Sequence, residues 1–576
     1  MTNHVPTDAH QRLAAFAAHQ QTMREFLKSQ GEVIRRVIAV GQRALAAEPI
    51  GRFVMRARVL PIDANTASPL AGLHVITPDP TDLDAANAVA AILENRGVRA
   101  AILDSSLLLD REKLIEALDV FRCEHGPVCG VIHLAGLAEL AMPGDLPAWQ
   151  TINETQTLGL FQLLQNCADD LSAEAGQILS FSALDGSFGR EVPEWNALPT
   201  GAAVLGLLKT FAIEWPSVAV KVIDVQNPAP TALAAMVEAE LTHRDGAVEI
   251  GYADGARRVF EFAEVPCAPA SQTPPRWTPQ KDWVVLATGG ARGITAECLR
   301  GVLLPGMTLV LLARSAEPGP EDAATIGKTV TGELRKHFLT AAQNLGERVT
   351  PASIDGEIAA LLRGREIRNN LAEFRAGGVV VEYHRGDASS LDDVARVLDS
   401  VYSKHGRIDA VLHGAGIVED KLIADKTSDS FARVFNTKAN SIFALAHLLR
   451  PENLKCLVLF ASVAGRAGNR GQCDYACANE LINRMAWWIH YRWPQTKVCS
   501  INWGPWESGM ASPEINRQFR ERGVVPIPSL SGRAFLRAEL SSSERGPVES
   551  IAGTFQAVGD SALFPVTGTH SSLSSK

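Results

Sequence analysis

Short apolar runs alternate along this chain with longer segments whose apolar residues recur every three or four positions. The runs are rich in Val, Leu and Ile, a composition typical of strands buried on both faces of a sheet. They include WVVLAT at 283–288, TLVLLA at 308–313, AVLHGA at 410–415 and CLVLFAS at 456–462. The alternation predicts an α/β fold, in which a doubly wound parallel sheet carries helices on both faces.

The pattern occurs twice. VCGVIHLAGLAE at 128–139 is similar to IDAVLHGAGIVE at 408–419, and a proline-rich stretch lies between the two passages. We therefore predict two tandem Rossmann-like domains. The predicted segments are an N-terminal helix at 1–47, a first domain at 48–264, a linker at 265–280, a second domain at 281–510 and a C-terminal extension at 511–576.

The N-terminal segment has the pattern of one long amphipathic helix. Between Asp8 and Ala47 it contains no proline, and its apolar residues follow helical spacing. These are Leu13, Phe16, Met23, Leu27, Ile34 and Val37. With Gln20 and Gln30 added, the steps alternate between three and four, as in a coiled-coil seam. The helix therefore either joins two copies of the chain in a homodimer or packs on its own chain.

Charge and composition narrow the function classes. The chain has 576 residues and a formal net charge of -9, with no run of Lys and Arg that would hold a nucleic acid. No apolar segment approaches the roughly 18 residues that span a bilayer, so we expect no membrane partner and a cytoplasmic location. Nine scattered cysteines without CxxC pairs predict neither disulfides nor a metal site.

A glycine-rich turn follows the strand WVVLAT and precedes a helical pattern. Its residues are Thr288, Gly289, Gly290, Ala291, Arg292, Gly293 and Ile294. Glycines there let the backbone approach a pyrophosphate, and the helix N-terminus offers free amides to it. The next strand runs into Arg314, where an acidic residue would accept hydrogen bonds from an unmodified ribose. A guanidinium suits a 2′-phosphate instead, so Arg314, assisted by Arg292, favours NADPH over NADH.

Two further cues lie where strands end. Asp387 follows the strand VVVEYHR and can meet the adenine, and Gly414, Ala415 and Gly416 follow AVLH. Ligands of doubly wound sheets bind beyond the carboxyl ends of the strands, so we expect these segments to line one crevice.

Lys438, Ser462, Tyr475 and Asn479 carry the candidate catalytic chemistry. Reducing a ketone requires a proton donor, and a tyrosine with a pKa near ~10 needs a neighbouring cation such as Lys438 to act at neutral pH. Ser462 can polarise the same carbonyl. Tyr475 and Asn479 are four residues apart, which puts both on one face of a helix.

These residues resemble the ketoreductase domains, of the short-chain dehydrogenase/reductase superfamily, that occur in modular polyketide synthases and polyunsaturated fatty acid synthases. The resemblance covers about residues 50–510 and rests on several motifs. They are TGGARGI, LHGAGIVEDKL, FNTKANSIFALAHLL, LFASVAG, YACAN and NWGPWESGM. The lysine and asparagine stand in the exchanged order that marks this family, and an extended segment at about 316–368 is more similar to the fatty acid branch.

The resemblance implies NADPH-dependent reduction of a β-ketoacyl thioester on an acyl carrier protein. It places Pro505 of NWGPWESGM at the cofactor, and Asp420 beside the substrate as an orienting residue that favours a (3R) alcohol. It also implies that the first copy of the fold is degenerate. Consistent with this, Pro78, Asp79 and Pro80 stand where glycines are expected in that copy.

An alignment of Trp215 with Trp493 sets the offset between the copies at 493 − 215 = 278 residues. This offset puts Ala197 opposite Tyr475 and Gly201 opposite Asn479, so the first copy lacks both side chains. Two alternatives stay open at this stage. A free-standing short-chain dehydrogenase acting on a small diffusible ketone would share these catalytic residues, and a non-enzymatic scaffold would bury Tyr475 away from any cleft.

Overall fold

The computed structural model describes residues 50–62, 70–190, 197–226, 228–266, 274–345, 348–508, 517 and 524–553, and these all belong to one compact unit. The helix and dimer contact predicted for the N-terminal segment lie outside the described residues. So do parts of the predicted linker and C-terminal extension.

One continuous sheet runs through the described residues. Its strands are β1 (Gly51–Val59), β2 (Leu73–Thr77), β3 (Arg99–Ile102), β4 (Val128–Gly136), β5 (Gln177–Ser182), β6 (Ala219–Val225), β7 (Glu249–Ala253), β8 (Ala256–Glu264), β9 (Val284–Thr288), β10 (Thr308–Ala313), β11 (Val380–Arg385), β12 (Ala410–His413), β13 (Cys456–Ser462), β14 (Lys497–Trp503) and β15 (Glu549–Gly553). Their spatial order is β11-β10-β9-β12-β13-β14-β15-β1-β8-β7-β6-β5-β4-β2-β3.

The sheet has two parallel halves. Strands β9 to β15 form the second half and pair in parallel throughout. Strands β2 to β7 form the first half, also in parallel. The antiparallel strands β1 and β8 join them. The predicted fold class, two Rossmann-like units that each contain a parallel sheet, is therefore confirmed. The exact domain boundaries stay predictions.

Helices cover both faces of the sheet. They are α1 (Asp84–Asn95), α2 (Arg111–His125), α3 (Leu146–Asn153), α4 (Gly159–Ala173), α5 (Val204–Glu214), α6 (Pro230–Thr242), α7 (Gly293–Val302), α8 (Thr331–Asn344), α9 (Pro351–Ala376), α10 (Leu391–His405), α11 (Ser428–Leu448), α12 (Val463–Ala467), α13 (Cys473–Arg492) and α14 (Ser529–Ser541).

Helix α10 shows how the sequence sets these elements. The side chain of Ser390 caps its N-terminus by accepting a hydrogen bond from the amide of Asp393. The helix ends at His405, and the C-cap residue Gly406 has a left-handed φ of 73°. Acidic residues occupy its first turn and basic residues its last, which complements the helix dipole. Its buried residues follow helical spacing, so one stripe packs on the sheet.

The two halves repeat each other in detail. Thr77 Oγ1 lies 2.7 Å from His133 Nδ1 in the first half, and Thr288 Oγ1 lies 2.7 Å from His413 Nδ1 in the second. The equivalent helices α5 and α13 end at Glu214 and Arg492, each directly before the aligned tryptophan. These helices also pack closely on each other, because a Cβ on Gly206 would lie 2.3 Å from the Ala476 carbonyl carbon.

Two segments depart from a minimal doubly wound fold. The extended segment near 316–368 contributes α8 and most of α9, and part of the predicted C-terminal extension contributes α14 and β15. Strand β15 pairs with both β14 and β1, so this part of the chain completes the sheet between the two halves.

Of the helices that the structure describes, none is both long enough and apolar enough to cross a membrane. The cytoplasmic location stays a prediction.

Candidate active site

The glycine-rich turn lies between β9 and α7, as the sequence predicts. Gly289 has a φ of +68° and Gly293 a φ of +66°, conformations that favour glycine. A Cβ on Gly289 would lie 3.0 Å from the Gly414 carbonyl oxygen, whereas a Cβ on Gly293 would meet no atom within 4 Å. Gly289 therefore allows a close backbone approach, and Gly293 faces open space at the helix N-terminus. Gly290 packs inward, against Ala287.

Thr288 ties this turn to the segment after β12. Its hydroxyl oxygen accepts a hydrogen bond from the amide of Ala415 at 3.3 Å, and its carbonyl accepts one from the amide of Gly414 at 3.0 Å. The structure thus brings together the two glycine-containing segments that the sequence predicts at one crevice. A Cβ on Gly414 would lie 1.9 Å from the hydroxyl of Thr295, which explains the glycine there.

The two candidate phosphate-binding arginines are exposed. Arg292 is the N-cap residue of α7, and its side chain makes no capping hydrogen bond. Arg314 directly follows β10, which pairs with β9. Within the described ranges neither guanidinium forms an ion pair, so both are available to an anion.

Asp387 and Pro505 also follow strands at the same edge of the sheet, after β11 and β14. The Asp387 carboxylate accepts hydrogen bonds from the amide and hydroxyl of Ser389, at 2.9 and 2.7 Å. The Pro505 carbonyl accepts one from the amide of Ile527 at 2.7 Å. Asp387 lies two strands away from the glycine turn, so its role at the adenine stays a prediction.

Tyr475 lies in the first turn of α13 and is half-buried. Burial raises the pKa of its phenol, while hydrogen bonds with Ser462 and Asn479 act in the opposite direction and the nearby charge of Asp420 raises it further. The structure therefore brings together Tyr475, Ser462, Asn479 and Asp420. Since Tyr475 is only half-buried and faces the site residues, the scaffold alternative has no support here.

Ser462 ends β13 and caps α12. Its hydroxyl oxygen accepts a hydrogen bond from the amide of Ala464 at 3.2 Å, which fixes the side chain at the strand end. Asn479 is fully buried, and its Nδ2 donates to the Tyr475 carbonyl at 2.7 Å across one helical turn. Its Oδ1 is buried and accepts no hydrogen bond from the residues that the structure describes. That oxygen can therefore accept a hydrogen bond from a group that enters the site.

Lys438, on α11, is buried, and it forms no ion pair with a carboxylate in the described part of the chain. Its Nζ donates to the Phe460 carbonyl at 2.6 Å, two residues before Ser462 on β13, instead of contacting Tyr475. Burial lowers the pKa of Lys438 to about 8. A Cβ on Gly416 would lie 3.1 Å from the Lys438 Cε, so this lysine reaches the edge where the glycine segments meet. Its predicted effect on Tyr475 stays a prediction.

Three residues that the structure places at the site are not among those that the sequence predicts. Gln472, just before α13, donates from Nε2 to Asp420 Oδ1 at 2.9 Å and so holds the carboxylate on the Tyr475 side. Glu366, on α9, accepts a hydrogen bond from the amide of Gly293 at 2.8 Å. Asn370 of the same helix donates to the Ala291 carbonyl at 2.9 Å. The long segment before β11 was the available clue that something packs on the glycine turn.

A family model described as the KR domain matches residues 284–508. This segment of the chain is a KR domain. The match begins at the first residue of β9 and includes the glycine turn, Ser462, Tyr475 and Asn479. The KR domain is a ketoreductase of the short-chain dehydrogenase/reductase type, and its family implies a nicotinamide cofactor.

The chain spans only a small part of the length of the curated relatives that it matches. The chain is 34% identical over 372 residues to one component of the polyunsaturated fatty acid synthase of Thraustochytrium sp. (strain ATCC 26185 / S-3), an alignment that covers 62% of the chain and 13% of that protein. It is 27% identical over 437 residues to the polyketide synthase GfsA of Streptomyces halstedii, covering 74% of the chain and 5% of that protein.

Solved structures extend the likeness beyond the KR domain itself. The crystal structure of an N-terminal ketoreductase from the macrolactin assembly line superposes with a TM-score of 0.65 at 17% identity, covering 92% of this chain and 98% of that one. At this identity the likeness shows the fold alone, and it extends over both halves of the sheet.

The first half differs from the second at the turn after its first parallel strand and at the position aligned with Asn479. The turn after β2 contains Asp79, whose buried carboxylate accepts hydrogen bonds from the amide and hydroxyl of Thr81. A Cβ on Gly201 would lie 2.6 Å from the Gly136 Cα, so backbone fills the place that Asn479 holds in the second half.

Proposed function

We propose that the KR domain catalyses NADPH-dependent reduction of a β-ketoacyl thioester, carried on an acyl carrier protein, to the β-hydroxyacyl thioester. The observation that carries this proposal is that Ser462, at the end of β13, lies beside Tyr475 and Asn479 of α13 at the sheet edge that holds the glycine turn. A proton donor and a second hydroxyl at one point are what reduction of a carbonyl needs.

The side chains divide the work as follows. Ser462 donates a hydrogen bond to the ketone oxygen and polarises the carbonyl, and Tyr475 gives its proton to the same oxygen as negative charge develops there. Burial raises the pKa of Tyr475, so the phenol holds its proton in the resting site. Hydrogen bonds from Ser462 and Asn479 would then stabilise the phenolate, and Lys438, whose Nζ lies at the Phe460 carbonyl two residues before Ser462, would supply positive charge from that strand end.

The residues present fit a nicotinamide dinucleotide. A Cβ on Gly293 would meet no atom at the N-terminus of α7, where amides and the helix dipole favour an anion. The Gly293 amide donates to the Glu366 carboxylate here, so a bound pyrophosphate would take the place of that carboxylate. Arg292 and Arg314 are exposed beside that turn, and each can bind a 2′-phosphate with two hydrogen bonds, which supports NADPH. When bound, the reduced nicotinamide supplies the hydride. Thr288, Gly414, Ala415, Gly416 and Pro505 would line the rest of this groove.

The carrier-bound substrate is supported by the relatives, which are named as fatty acid and polyketide synthases. The alternative, a small diffusible ketone, uses the same catalytic residues. Comparing β-ketoacyl thioesters free and attached to a carrier protein separates the two. A much higher kcat/KM for the carrier-bound form supports the proposal, and equal values support the alternative.

We further propose the (3R) configuration for the product. A bound nicotinamide would supply hydride to whichever face of the ketone is turned to it, so the direction in which the thioester enters would decide the configuration. Asp420, held by Gln472 close to Tyr475, limits one side of that entry. Chiral analysis of the reduced thioester tests this, and a predominant (3S) alcohol would contradict it.

The central test is Tyr475→Phe. We expect reduction to fall at least a hundredfold while the Kd for NADPH stays within about twofold, because the hydroxyl meets the ketone and not the phosphates. The matched control is Tyr402→Phe on α10, which removes a phenol oxygen that accepts a hydrogen bond from the amide of Arg450 at 3.0 Å. Turnover of Tyr475→Phe close to that of the control would refute the catalytic assignment.

A further inference from the structure

A cluster of seven charged side chains is buried between the first half and the second half. Each is at most 6% exposed. They are Arg190, Lys209 and Glu249 of the first half, and Arg466, Glu480, Arg484 and Glu549 of the second. Buried charges are costly unless each is paired, so a cluster of this size demands an account.

Arg466 stands at the centre of the cluster. It lies in α12, four residues after Ser462, and its guanidinium contacts Glu249 at 2.6 Å, Glu480 at 2.7 Å and Glu549 at 3.1 Å. Glu480 directly follows Asn479 on α13. The guanidinium thus links the helix after Ser462, the helix that carries Tyr475 and Asn479, and a strand of the other half.

Lys209 holds the backbone of the same short helix. It projects from α5 of the first half, and its Nζ donates to Glu249 Oε2 at 2.7 Å and to the Arg466 carbonyl at 2.9 Å. A Cβ on Gly468 would lie 3.0 Å from the Lys209 Cβ, so the chain leaving α12 also rests on this lysine.

We propose that Lys209 and Glu249 of the first half are positioning residues for the KR domain: they fix the segment from Ser462 to Gly468, so that the Ser462 hydroxyl stays within hydrogen-bonding reach of Tyr475. Lys209 holds the backbone of that segment and Glu249 its arginine. The first half then contributes to the rate of reduction as well as to stability. This inference rests on the reductase activity proposed above.

The charges make one variant informative. Among the described residues the cluster holds four cations and three carboxylates. Lys209→Met keeps most of the side-chain volume and leaves three cations with three carboxylates, so the remaining charges stay paired and we expect the protein to fold. It removes the donor to the Arg466 carbonyl together with the ion pair to Glu249, which keeps Arg190 and Arg466 as partners.

The chain offers a closely matched control. Lys221, also in the first half and buried, donates to Glu240 Oε2 at 2.6 Å and to the carbonyls of Glu240 and His243 at 2.8 and 2.6 Å. These partners all lie in the first half. Lys221→Met therefore removes a comparable buried lysine without touching the segment that carries Ser462.

The experiment compares wild type, Lys209→Met and Lys221→Met at pH 7, with NADPH and one β-ketoacyl thioester. We expect kcat to fall at least tenfold in Lys209→Met only, with the Kd for NADPH within twofold of wild type in both variants. Lys209→Arg, which restores a donor and a charge, should recover part of kcat. If Lys209→Met does not fold, Arg466→Met, which also balances the charges, takes its place with the same expectation.

Equal kcat values in the folded Lys209→Met, or its substitute, and in Lys221→Met would overturn the inference, and so would a loss of NADPH affinity that accounts for the whole effect. An inactive wild type would instead refute the proposed function. The two failures are therefore distinguishable.

Discussion

Gly206→Ala tests how helix α5 of the first half packs on α13, the helix that carries Tyr475. Gly206 lies in α5, and a Cβ there would stand 2.3 Å from both the carbonyl carbon and oxygen of Ala476 and 2.5 Å from the amide nitrogen of Cys477. These are backbone atoms of α13, which cannot rotate away. Because ordinary contacts begin at about 3.4 Å, the two helices must separate by roughly an ångström to admit a methyl group.

The expected cost follows from two opposing effects. Overpacking of this kind costs up to about 3 kcal/mol, and replacing glycine by alanine inside a helix returns up to about 1 kcal/mol. We therefore expect Gly206→Ala to lower the free energy of unfolding by about 2 kcal/mol. Since Ala476 directly follows Tyr475, the displacement should also lower kcat.

Urea unfolding followed by tryptophan fluorescence measures the first effect, and the initial rate of thioester reduction measures the second. The control is Gly356→Ala in α9, where a Cβ would meet nothing within 4 Å. That substitution should raise stability by about 0.5–1 kcal/mol and leave kcat unchanged. A Gly206→Ala protein as stable as Gly356→Ala would refute the close packing of α5 on α13.

Three shorter predictions concern cofactor binding and pH. Arg314→Ala should weaken NADPH at least tenfold and NADH less than twofold, because only NADPH has the 2′-phosphate; equal losses in titration would contradict this. Calorimetry of the whole chain should give one NADPH per chain, since Asp79 and the Gly201 contact exclude a second site, and a second equivalent would show otherwise. Burial lowers the pKa of Lys438 to about 8 in the folded protein. Between that pH and about 10 this lysine is protonated in the unfolded chain but largely neutral in the folded one, so its contribution to the free energy of unfolding rises with pH. The stability of wild type relative to Lys438→Met should increase over this window in urea titrations, and a constant difference would refute it.

The sequence by itself determined the strands and their repetition. Strands β9, β10 and β13 match the runs WVVLAT, TLVLLA and CLVLFAS to within one residue. Strand β12 ends at His413, two residues before the end of the predicted run AVLHGA. A fully buried strand needs a continuous apolar run and a nucleotide-binding turn needs glycines, and both requirements are local. The offset set by Trp215 and Trp493 was likewise readable, because both copies end the equivalent helix at the same tryptophan.

The sequence also determined which residue types meet at the active site. Tyr475 and Asn479 are neighbours on α13 because a helix brings positions four apart together. Ser462 follows from its place at a strand end in a parallel sheet. Each of these positions depends only on the element that carries it and on the edge of the sheet where parallel strands end.

Only the tertiary structure decided what those residues contact across the chain. Glu366 reaches the amide of Gly293 from a helix 73 residues further along, and Lys209 reaches the Arg466 carbonyl across 257 residues. Lys438 donates to the Phe460 carbonyl instead of Tyr475. No local pattern encodes such pairs, because they depend on how whole helices pack on the sheet and on which buried charges must then be paired.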